Sequence, residues 1–177
     1  MENGIVIGHV GRFSQQKNHP FLVDIFTECK KIDSKAKLFL IGEGEEQENI
    51  KKKVVAKGLN GDVIFTGIRS DVNDLMQAMD VFVFPSLYEG LPLTMIEAQA
   101  AGLPCVISDK IPDECIVTNN LVTYCELKDD TTKWAKIIMK QAKLPITNHI
   151  QEIEAAGYDI RSEAKKLEDF YLMSVKR

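Results

Sequence analysis

Six short apolar runs recur along the chain, each continuous and none alternating with polar residues: Ile5–Val10, Leu38–Ile41, Val63–Phe65, Val81–Phe84, Cys105–Ile107 and Leu121–Tyr124. A strand with one wet face alternates apolar and polar side chains, so unbroken runs are expected of strands covered on both faces. Helical patterns lie between them, over Pro20–Ile32, Glu45–Lys57, Asp71–Met79, Leu93–Ala101, Thr131–Lys143 and Arg161–Val175. Pro20 suits a first helical turn, and Gly102 with Pro104 behind it stops the fourth helix. In the last helix Leu167, Phe170 and Tyr171 are spaced to pack. Residues 144–158 read either as a loop or as a helix from Asn148 to Ala156.

Strands alternating with helices imply β-α-β units. The expected fold is therefore α/β, a parallel sheet of about six strands with helices on both faces. Ligands of such sheets sit outside the carboxyl ends of the strands. That rule selects four loops, at residues 11–18, 42–45, 66–70 and 85–93.

A length of 177 residues with 45% hydrophobic and 27% charged residues suits one globular domain over residues 1–177. The net charge of −4 is the wrong sign for a non-specific nucleic-acid binder, so a bound anion must be held by a few local groups. Cys29, Cys105, Cys115 and Cys125 have neither C-x-x-C nor zinc spacing. Four thiols without a framework suggest a reducing, cytoplasmic compartment, although a Cys115–Cys125 bridge is the minor alternative. Met1-Glu2-Asn3-Gly4 has no signal-peptide character, and no apolar stretch approaches a membrane span.

The loop Gly11-Arg12-Phe13-Ser14-Gln15-Gln16-Lys17-Asn18 brings two cations to the ligand edge. A guanidinium forks onto two phosphate oxygens and an ammonium acts as a point charge, so Arg12 and Lys17 together could neutralise a diphosphate. A surface loop that carries both an Arg and a Lys is also ordinary. The segment Pro85-Ser86-Leu87-Tyr88-Glu89-Gly90-Leu91-Pro92-Leu93-Thr94-Met95-Ile96-Glu97 runs from a strand into a helix, whose first N–H groups form an anion site. Carboxylates repel phosphate but accept hydrogen bonds from diols. Glu89 and Glu97 therefore suit sugar and ribose hydroxyls, while an acidic residue early in a helix is also ordinary. Gly42 and Gly44 form half a dinucleotide fingerprint, with Gln47 where a third glycine would stand; they read as a turn letting backbone pass near a ligand. Gly67 and Ile68 form a second strand-end turn that could edge a nucleobase. His9 reads as a strand residue, His19 as a helix cap, and His149 lies in the uncertain segment; none has a second ligand at metal spacing. Lys51, Lys52 and Lys53 read as a solvated helix face.

Taken in order, GHVGRFSQQKN, LFLIGEG, VIFTGIRSDV, DVFVFPS and YEGLPLTMIEAQAAGLPCVIS resemble the C-terminal half of a GT-B glycosyltransferase of the GT4 family, the retaining group that builds capsular and other cell-surface polysaccharides. The resemblance implies a Rossmann-like domain that binds a nucleoside-diphosphate sugar, UDP-linked, with no metal. It implies Arg12 and Lys17 on the diphosphate, Glu89 beside the transferred sugar and Glu97 on the ribose. Gly90, Leu91 and Pro92 would offer backbone to sugar and phosphate, with Leu93 and Thr94 at the helix start and Gly11 at the strand end. Asn18 stands where the family often has glycine. The acceptor-binding N-terminal domain would be absent, so the fragment alone is expected to bind donor weakly and transfer nothing. The acceptor would be a glycan or lipid-linked saccharide, with the parent enzyme peripheral at the inner membrane face. Rival readings are a sugar-nucleotide epimerase or phosphorylase of the same architecture, or a non-catalytic nucleotide-binding module.

Overall fold

The computed structural model describes residues 4–175. Its strands are β1 (Val6–Val10), β2 (Lys37–Ile41), β3 (Val63–Gly67), β4 (Val81–Phe84), β5 (Cys105–Ser108) and β6 (Val122–Cys125). All pair in parallel, in the order β3-β2-β1-β4-β5-β6. Each expected strand is present. Every residue of β4 and β5 is buried, as their unbroken apolar runs require.

The helices are α1 (His19–Ile32), α2 (Gln47–Ala56), α3 (Val72–Met76), α4 (Leu93–Ala100), α5 (Thr131–Gln141), α6 (Ile150–Ile153) and α7 (Ile160–Val175). Two cores sandwich the sheet. One gathers Leu22, Ile25 and Phe26 of α1, Ile50 and Val54 of α2 and Trp134 and Ile138 of α5 over Leu38, Leu40, Val83 and Val106. The other gathers Met76 and Met79, Met95 and Ile96 of α4 and Ile153 of α6 over Phe82, Phe84 and Ile107. The four cysteines are buried free thiols, so no Cys115–Cys125 bridge forms.

Three expectations change. The third helix is shorter than Asp71–Met79: it ends at Met76, and tight turns carry the chain through Met79 to β4. Residues 144–158 become α6 followed by a π-helical turn over Glu154–Tyr158, broken at Gly157, whose φ is 89°. Ile153 is the one fully buried hydrophobic residue of this segment, with Tyr158 packed partly beside it, which explains its weak sequence pattern. In α7 the expected packing fails, since Leu167, Phe170 and Tyr171 are all more than half exposed. None of them joins either core, and Phe170 meets Tyr171 edge to face at 5.7 Å.

Candidate functional site

The strand order reverses direction between β1 and β4: the chain steps outward from β1 to β3, then returns to β1's other side. A crevice at the carboxyl ends of the strands opens at such a switch point. The loops leaving β1 and β4 are the two that the sequence marks as richest in chemistry, so the topology brings them together.

They are also tied to each other. The backbone N–H of Leu87 donates to the Gln16 carbonyl at 2.8 Å. Asn18 Nδ2 donates to the Pro85 carbonyl at 3.2 Å, and Gln16 Nε2 donates to the Tyr88 carbonyl at 3.0 Å. Residues 15–17 make a 3-10 turn that ends at Asn18, in the left-handed region at φ 55°. Glycine and asparagine both visit that region, so Asn18 fits the position without a clash.

On this frame Lys17 Nζ lies 2.8 Å from Glu89 Oε1, with side chains 15% and 6% exposed. Gln16 Nε2 reaches the other carboxylate oxygen at 3.2 Å, and the Lys17 ammonium stands 4.5 Å from the centre of the Phe84 ring. Arg12 turns the other way, onto Glu45 at the approach to α2, and both side chains are exposed. The two cations expected to act together thus rest on different carboxylates.

α4 begins at Leu93 behind Pro92, and no side chain caps it, so its first-turn N–H groups lack a capping side chain. Glu97 is one turn further on, exposed, and without a side-chain partner among the described residues. Partial desolvation raises its carboxyl above the ordinary range. With Leu93 it lines a groove of about 230 Å³ closed by Ile153 and Tyr158. Glu89 and Glu97 therefore occupy different surroundings, one clamped between loops and one open.

The rim is apolar and exposed: Ile68, Tyr88, Leu91 and Leu93 all project outward. A Cβ on Gly90 would meet nothing within 4 Å, which leaves that backbone open to approach. Gly42 packs tightly on the neighbouring loop. Its φ is 128°, and a Cβ there would come 2.3 Å from the Gly11 carbonyl oxygen. The turn after β2 is glycine-rich so that it can pass the β1 loop, whose Gly11 and Phe13 N–H groups donate to Ile41 and Glu43. Gly67 closes the same edge through a bridge to Gly42.

Sequence reasoning did not single out Gln16, and it read His9 as a strand residue, which it is. His9 is fully buried on β1, and His19 is 1% exposed at the start of α1. His19 does not cap the helix; its ring turns inward and stacks on Phe13 at 4.2 Å. Burial lowers the His9 pKa to about 4 and that of His19 to about 2, and the Lys17 charge pushes both the same way. The available signal was His9's place inside an apolar run, which marks burial but not purpose. The lysine face also needs amendment: Lys51 is exposed beside Glu48, but Lys53 and Lys57 reach across to Asp24 of α1. Among the described residues no cluster of three metal-ligating side chains occurs, and no helix is long and apolar enough to cross a membrane.

Residues 4–142 match the family described as Glycosyl transferases group 1. EpsF of Bacillus subtilis (strain 168), a glycosyltransferase by name, is 38% identical over 98% of this chain and 46% of its own length. The Escherichia coli UDP-Gal:alpha-D-GlcNAc-diphosphoundecaprenol alpha-1,3-galactosyltransferase is 28% identical over 96% of this chain and 46% of its own. Among solved structures, Anabaena Alr3699/HepE in complex with UDP-glucose superposes with a TM-score of 0.77 at 23% identity, over 97% of this chain and 49% of that one. The chain spans about half the length of the curated relatives it matches.

Proposed function

Since the chain belongs to the Glycosyl transferases group 1 family, we propose that it is the donor-binding half of a retaining glycosyltransferase acting on a nucleoside-diphosphate sugar. The carrying observation is the Lys17–Glu89 junction, a desolvated cation and anion held between the loops of β1 and β4 beside the uncapped start of α4. That juxtaposition suits a diphosphate joined to a sugar: the cation and helix start take the phosphates, and the carboxylate takes a hydroxyl.

As the glycosidic bond breaks, negative charge grows on the departing diphosphate. Lys17 and the first-turn N–H groups of α4 oppose it from fixed positions, which is where preorganised electrostatics is most effective. Arg12 closes on the outer phosphate after leaving its exposed partner Glu45. Glu89 orients the sugar and Glu97 accepts from the ribose hydroxyls. Gly90, Leu91 and Pro92 line the approach, and the exposed Ile68 beside Gly67 flanks the base. The UDP-glucose held by the Anabaena neighbour supports a uridine donor. In this reading the acceptor, a glycan or lipid-linked saccharide, is bound by a second domain, and the assembled enzyme works in the cytoplasm at the inner membrane face.

A ligand that binds only the folded state raises apparent stability. UDP and UDP-sugars are expected to raise the Tm of this chain in a thermal-shift screen, with no sugar transfer by the chain alone. If no nucleoside diphosphate moves the Tm, the donor-site reading is wrong; transfer by the isolated chain would refute the half-enzyme reading.

A further inference from the structure

The deepest polar groups behind the site have no role in the reading above. His9 Nδ1 lies 2.9 Å from the Val83 carbonyl oxygen. A carbonyl only accepts, so Nδ1 carries the proton. A neutral imidazole has one N–H, and Nε2 is therefore a bare acceptor. That atom is buried and has no hydrogen-bond partner. The lysine stem borders the same spot: a Cβ built on Gly11 would stand 3.2 Å from His9 Nε2 and 3.2 Å from Lys17 Cε.

The neighbours hold this ring still and uncharged. Phe82 and Phe84 lie beside it with roughly parallel rings, at 6.3 and 5.4 Å between centres, and His19 meets it edge to face at 4.7 Å. The charged groups on this side are Lys17 from the β1 loop and Glu89 from the β4 loop. Ser86 Oγ, also buried, is likewise unpartnered. An orphaned buried acceptor is costly, so one kept in a fold calls for an explanation.

We infer that His9 is a positioning residue for Lys17: when a diphosphate draws the ammonium off Glu89, His9 Nε2 accepts from it, directly or through one buried water, and holds it against the phosphates. An ammonium has three donors, so it can serve a phosphate and a buried acceptor together. A neutral acceptor suits this place because a carboxylate there would repel the diphosphate. The inference rests on the donor-site reading of Lys17.

The test is calorimetric titration of UDP into the wild-type chain, Lys17→Ala, His9→Phe, His9→Gln and the Lys17→Ala/His9→Phe double variant. His9→Phe is expected to weaken UDP binding on the order of fivefold. His9→Gln, which presents an amide oxygen near the Nε2 position, should recover most of that loss. In the Lys17→Ala background His9→Phe should cost nothing more, since the residue it positions is gone. Wild-type affinity in His9→Phe, or an equal loss with and without Lys17, overturns the inference while leaving the donor site intact. Equal affinity in wild type and Lys17→Ala instead overturns the reading of Lys17, and the inference with it. Should His9→Phe fail to fold, the wild-type chain carries the test: the His9 Nε2 nitrogen resonance should move toward its hydrogen-bonded position on UDP addition, and a resonance that stays put sinks the idea.

Discussion

Two ion pairs stand at the same edge of the sheet and could hardly be held more differently. Lys17–Glu89 joins the loops of adjacent strands β1 and β4, with side chains 15% and 6% exposed. Arg12–Glu45 joins the β1 loop to the approach to α2, with side chains 73% and 54% exposed. An exposed pair contributes little and exchanges readily with water, whereas removing one partner of a buried pair strands the other. The comparison divides the labour of an anion site. Lys17 is placed in advance, at the cost of separating it from Glu89. Arg12 is free to swing, at almost none.

The sharpest break between the two regions is expected in acid. Behind the buried pair lie two imidazoles whose folded pKa values, about 4 for His9 and about 2 for His19, are below the ordinary 6.5. Below pH 6.5 the unfolded chain binds protons that the folded chain refuses, so stability is full above that pH and falls as the pH drops toward 4. Each ring contributes a slope of about 1.4 kcal/mol per pH unit in that window. Urea unfolding at pH 7.0, 6.0 and 5.0 should show the decline, and His19→Phe should remove one ring's share of it. A flat profile would mean that the rings are not held neutral.

Next in size is Lys17→Ala, which is expected to weaken UDP binding by roughly thirtyfold and, by stranding Glu89, to lower the Tm by about 5 °C. Calorimetry and thermal melts on one preparation check both at once. An unchanged Tm would show that the pair is not the buried junction described above. Glu89→Gln should act oppositely on UDP alone: with the competing carboxylate gone, affinity should rise by about threefold. UDP-glucose should gain less than UDP or nothing, because the same change removes its sugar contact. Equal gains for both ligands would take Glu89 away from the sugar.

These residues also mark how far sequence reading reaches. The six strands and their order of use were visible because a doubly covered sheet writes itself as unbroken apolar runs, as in Val81–Phe84. The carboxyl-end rule selected four loops, and charge on two of them singled out Arg12, Lys17 and Glu89, with Glu97 in the helix that follows; which two loops meet needed the strand order. What could not be read was pairing. Nothing local in the chain tells Lys17 to turn toward Glu89 and Arg12 toward Glu45, since each choice depends on contacts between residues far apart in sequence. The close approach of Gly42 to the Gly11 backbone was hidden for the same reason, because that neighbour exists only once β1 and β2 are side by side. The apolar stripe of α7 was read as core because helical spacing reports amphipathicity, not what covers the face; Leu167, Phe170 and Tyr171 remain exposed.

The smallest effect tests the other half of the comparison. Arg12→Ala is expected to weaken UDP binding by only about threefold at low salt, because its guanidinium meets the phosphate in an exposed position where water competes. Raising the ionic strength to about 1 M shortens the screening length to roughly 3 Å, and the difference between Arg12→Ala and wild type should then disappear. The Lys17→Ala deficit should survive the same salt, since a desolvated ammonium is screened far less. Titrations of the three proteins at low and high salt read both pairs in one experiment. If the Arg12 deficit persisted as fully as that of Lys17, Arg12 would be drawn into a closed site when ligand binds, and the contrast between the two pairs would belong to the empty protein only.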